Sequence, residues 1–134
     1  MSGFASALAH GDDRIVLSAP QPRILLVEDD FLIASMLADE IADLGYLVVG
    51  PARTLAAATV IASTATLDGA LLDVELGLYT ALPVAQILSD RHIPFAFLTG
   101  DVESPEGKFH DVPALVKPFT VPELRRALQV MLSA

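Results

Sequence analysis

From Arg23 onward the sequence alternates short apolar runs with longer stretches of helical spacing, and no other feature narrows the possible folds so far. RILLVED, YLVVG, DGALLDV, PFAFLT and PALVK read as five strands, continuous in apolar character, as strands covered on both faces are. Between the first two, FLIASMLADEIADLG puts Ile33, Leu37, Ile41 and Leu44 on one helical face, with Asp30 as N-cap and Gly45 as stop. TLAAATVIAST, after a break at Pro51, and ALPVAQILSDR carry helical spacing too. VPELRRALQVML ends the chain as a helix with Pro122 in its first turn, Arg125 and Arg126 falling on its solvated face. Strand and helix in alternation imply right-handed βαβ units. The expected fold is therefore α/β, a doubly wound five-stranded parallel sheet with flanking helices.

The chain has 134 residues, enough for one domain with its own core. Residues 1–22 end in SAPQP and read as a flexible N-terminal extension, leaving 23–134 as the domain. There is no cysteine, which excludes disulfides, thiol catalysis and Cys-ligated zinc and fits a cytoplasmic setting. A net charge of −9 with eight scattered basic residues argues against nucleic acid as a partner. The apolar runs are too short to insert into a membrane, and no signal peptide is visible. Because the chain ends with its last helix, no appended output domain is expected.

In open parallel sheets ligands bind beyond the carboxyl ends of the strands. The first strand ends in Glu28, Asp29 and Asp30, the third in Asp73 with Glu75 two residues on, the fourth in Thr99 and the fifth in Lys117. The second offers only Gly50 and Pro51. With the strand order 2-1-3-4-5, borrowed from flavodoxin and CheY, these polar ends meet in one crevice. Converging carboxylates repel unless a cation intervenes, and oxygen-only ligands suit Mg²⁺, or Mn²⁺ in its place. A carboxylate beside such an ion, an ammonium and a hydroxyl is equipped for phosphoryl transfer. Each residue taken alone has a plainer reading: Asp30, and less readily Asp29, as helix caps, Thr99 as a strand residue, Lys117 as a surface lysine.

RILLVEDD, ALLDV, FLTG and LVKPF, in that order at strand ends, resemble the receiver domains of two-component response regulators over about residues 23–134. The resemblance implies that Asp73 is the phosphoacceptor and that Asp29 and Asp73 ligate Mg²⁺ directly. It further implies that Glu28 acts through water and Glu75 through its backbone carbonyl. Thr99 would contact the phosphoryl group, Lys117 would pair with it, and Pro118 would follow a cis peptide bond. The implied function is a stand-alone response regulator in a phosphorelay, phosphorylated by a histidine kinase or a histidine phosphotransfer protein. It would act as phosphate sink, relay or protein-interaction switch, and not as a multiple-turnover enzyme. Two alternatives stay open: a phosphorylation-independent binding module on the same fold, and a Mg²⁺-dependent aspartyl phosphatase of the haloacid dehalogenase type. Multiple turnover on a phosphate ester would single out the last.

Three departures from the commonest receiver pattern stand out. Ala114 occupies the position where receivers often carry a switching aromatic. The connector VESPEGKFHDVP, with Pro105, Gly107 and Pro113, predicts a fourth helix that is short or disordered. Glu75 and Asp101, each two residues past a strand-end group, point to an unusual phosphoryl lifetime. With PFAFLTG, these traits partly resemble the alphaproteobacterial FATGUY-type stand-alone receivers.

Overall fold

The computed structural model describes residues 20–100 and 109–133. Most of the predicted N-terminal extension, and Asp101, Pro105 and Gly107 of the connector, lie outside the described residues. Along the chain run β1 (Arg23–Val27), α1 (Phe31–Asp43), β2 (Leu47–Ala52), α2 (Leu55–Thr64), β3 (Gly69–Asp73), β4 (Glu75–Leu76) and β5 (Tyr79–Thr80). They are followed by α3 (Leu82–Asp90), β6 (Phe95–Thr99), β7 (Ala114–Val116) and α4 (Val121–Leu132). Five strands pair in parallel in the order β2-β1-β3-β6-β7, the expected 2-1-3-4-5.

The continuous apolar runs are explained by two cores, one on each face of the sheet. Leu25 and Val27 of β1 join Ala58, Ala62, Val84 and Leu88 beneath α2 and α3. Ile24 and Leu26 join Leu37, Ile41, Leu124 and Leu128 beneath α1 and α4. All four of these β1 side chains are fully buried, worth roughly 1.5–3 kcal/mol apiece. Phe95, Phe97 and Phe109 meet edge to face in the first core, with centroids 5.6–6.3 Å apart.

Three local features differ from the sequence reading. Ile33 does not join the buried stripe of α1: it stays 38% exposed, and Ala34 packs inward with Leu37 and Ile41. Pro51 does not end β2, which continues through a cis Gly50–Pro51 bond to Ala52. An edge strand tolerates a residue with no N–H to donate, and β2 is an edge strand. Finally, β4 and β5 form a small antiparallel hairpin between β3 and α3, in a stretch to which the sequence pattern assigns no element.

Candidate functional site

Glu28, Asp73, Thr99 and Lys117 stand at the carboxyl ends of β1, β3, β6 and β7, and the side chains of Glu28, Asp73 and Lys117 meet there. Glu28 is almost wholly buried (1% exposed), and Asp73 and Thr99 are buried at 8%. Glu28 is seated by its backbone, whose N–H donates to Ala52 O at 3.0 Å. Lys117 is fixed likewise: its N–H donates to Thr99 O at 2.7 Å, and a cis bond to Pro118 follows, as the resemblance implied.

Lys117 Nζ donates to Glu28 Oε1 at 2.9 Å and to Asp73 Oδ2 at 3.0 Å. Asp73 Oδ1 accepts the Glu75 N–H at 3.2 Å, and the Glu75 side chain faces solvent. Carboxylate oxygens of Glu28, Asp29 and Asp73 all lie within 4.8 Å of one another. Asp29, the most accessible of the three, accepts the Gly77 N–H at 2.9 Å through Oδ2. Asp30 leaves the cluster and caps α1, accepting from Ile33 N–H at 2.9 Å.

The electrostatics follow from this crowding. Burial first, then the hydrogen bond and repulsion from Asp73, push Glu28 up from 4.5 to about 7 against the pull of Lys117. Burial alone would lower Lys117, but its bonds to Glu28 and Asp73 outweigh that, so its pKa is raised and it stays charged. Three clustered acids with one ammonium among them leave a surplus of negative charge in a set of oxygen donors.

Two contributors were not found by reading the sequence. The direct Glu28–Lys117 bond joins residues 89 positions apart, and only the folded sheet shows it. Gly77 is marked in the sequence only by the Gly-Leu pair within ELGLYT, a glycine-first two-residue turn. At the rim, Arg53 stacks over the Phe31 ring at 5.0 Å and, with Thr54, Leu55, Leu76 and Tyr79, lines a cavity of about 830 Å³ beside Asp29.

No protein-family model and no curated protein matches the chain. Among solved structures, SdrG from Sphingomonas melonis Fr1 is 41% identical, the match covering 84% of this chain and 97% of SdrG, with a TM-score of 0.73. The BeF3-activated conformation of SdrG matches with a TM-score of 0.70, covering 82% of this chain and 95% of that one. The non-phosphorylated HemR receiver domain from Leptospira biflexa is 26% identical, covering 85% of this chain and 96% of that one, with a TM-score of 0.73. The receiver domain of the sensor histidine kinase PA1611 from Pseudomonas aeruginosa PAO1 has magnesium coordinated in its active-site cleft. It is 23% identical, covering 86% of this chain and 100% of that one, with a TM-score of 0.72, and shows the fold alone.

Proposed function

Because the chain belongs to the receiver domains of response regulators, we propose that it carries a phosphoryl group on Asp73, received from a histidine kinase or a histidine phosphotransfer protein. The observation that carries this reading is Lys117 Nζ at 3.0 Å from Asp73 Oδ2, beside an acid cluster spanning 4.8 Å. A carboxylate oxygen of Asp73 attacks the phosphorus as the P–N bond to the donor imidazole breaks, the electron pair leaving with the imidazole nitrogen.

The residues of the chain divide the work. Lys117, held charged, fixes the carboxylate and then pairs with the transferred group. The Thr99 hydroxyl, buried at the end of β6, donates to a phosphoryl oxygen. The oxygen-only set of Asp29, Asp73, the Glu75 carbonyl, and Glu28 through water fits Mg²⁺, since three clustered acids call for more positive charge than one lysine supplies. When bound, the ion would neutralise charge on the phosphoryl oxygens and relieve repulsion among the acids. Phosphorylation then alters the surface around the crevice, and the domain serves as sink, relay or switch toward a protein partner.

Incubation with acetyl phosphate and Mg²⁺, followed by intact mass measurement, tests the reading. The wild type is expected to gain one phosphoryl group and Asp73→Asn none. Multiple turnover without a stable adduct would instead support a phosphatase.

A further inference from the structure

The hairpin β4–β5 touches two of the clustered acids at once. Its first residue gives the Glu75 N–H to Asp73, and its tip gives the Gly77 N–H to Asp29. Its base is closed by Ala81 N–H on Val74 O at 2.8 Å, and Val74 N–H anchors it to Leu98 O at 3.0 Å. The hairpin is thus tied to the central sheet through β6. Asp29 is the most exposed of the three acids, and like charge on Glu28 and Asp73 so close by favours its turning toward solvent. The Gly77 amide opposes that drift. A carboxylate has about four lone-pair sites, so a single bond to Oδ2 leaves Asp29 able to ligate a cation as well.

We propose that Gly77 is a positioning residue whose amide holds Asp29 in the acid cluster, in the orientation that receives a divalent cation. This rests on the cation reading of the cluster given above. Only a residue that accepts φ +63° can present its N–H this way at a two-residue tip. A Cβ added at Gly77 would meet nothing within 4 Å, so alanine there is opposed by backbone conformation alone. Leu78, the other tip residue, is 97% exposed and serves as a control on the same turn.

The test measures Mg²⁺ affinity by calorimetry in wild type, Gly77→Ala and Leu78→Ala. Gly77→Ala is expected to bind at least about fivefold more weakly, and Leu78→Ala as tightly as wild type. Amide exchange in the metal-free protein is a second readout: the Gly77 N–H should be protected in wild type and exchange faster in Asp29→Ala. Wild-type affinity in Gly77→Ala, an equal loss in Leu78→Ala, or Gly77 exchange indifferent to Asp29→Ala would overturn the proposal alone. Absence of Mg²⁺ binding by the wild type would overturn it together with the cation reading.

Discussion

Lys117 Nζ reaches Asp73 Oδ2 at 3.0 Å although β6 lies between their strands in the sheet. The same ammonium donates to Glu28 Oε1 at 2.9 Å, so one cation is shared between two buried carboxylates. Replacing it by a chain of similar length without charge isolates that role. Lys117→Met is expected to cost about 1–3 kcal/mol in metal-free urea denaturation, the penalty of leaving buried charges unpaired. The Lys117 side chain is only 25% exposed, so water cannot fully take its place. Phosphoryl uptake from acetyl phosphate should slow roughly a hundredfold, the scale of losing one electrostatic stabiliser. Unchanged stability and rate would show that the two contacts are incidental.

Glu28 makes the site sensitive to pH. Its carboxyl is raised from 4.5 to about 7 in the fold, so the folded protein binds this proton more tightly than the unfolded chain. The resulting stability is fully present below pH 4.5 and is lost as pH rises through about 7. In EDTA, Glu28→Gln should therefore gain stability relative to wild type as pH climbs across that window. Mg²⁺ affinity of the wild type should weaken as pH falls below about 7, because the proton neutralises a carboxylate of the cluster. Urea titrations across this range, with and without Mg²⁺, read both effects. A wild-type-minus-variant difference that stays flat with pH would contradict them.

Gly50 lies within β2, two residues before its end, with φ +102°, and a Cβ there would meet Ala52 N at 2.7 Å and Leu26 O at 3.1 Å. Both neighbours are backbone, and Ala52 O in turn receives the Glu28 N–H. Gly50→Ala is expected to lower stability by roughly 2 kcal/mol or more, through the unfavourable φ and the forced backbone shift. Differential scanning calorimetry would register this as a lower Tm; a variant as stable as wild type would show that the end of β2 yields at no cost.

Much of this architecture is legible in the chain because its signals are local. Four of the five main strands are apolar runs that stop at a polar residue, and that stop places Glu28, Asp73, Thr99 and Lys117 at the carboxyl edge. Asp30 reads as a cap because an acid just before a helical stretch has that use. The hairpin was not legible: strands of two residues, Glu75–Leu76 and Tyr79–Thr80, are shorter than any periodicity can resolve. The Gly77–Asp29 contact spans 48 positions and depends on that hairpin. Pro51 misled because a break in pattern looks alike whether the strand stops or runs on along a sheet edge. In the first turn of α1 it is Ala34 and not Ile33 that is buried, because how the helix lies against the rest of the protein, and not spacing alone, decides which side chains turn inward.

A phosphoryl group on Asp73 would leave a chemical mark at that position. Borohydride reduction of the acetyl-phosphate-treated protein converts an aspartyl phosphate to homoserine, which peptide mass spectrometry locates by position. Homoserine is expected at position 73 in the Mg²⁺-treated wild type, and none when EDTA replaces Mg²⁺. Homoserine at Asp29 in place of Asp73, or no reducible acyl phosphate at all, would contradict that expectation.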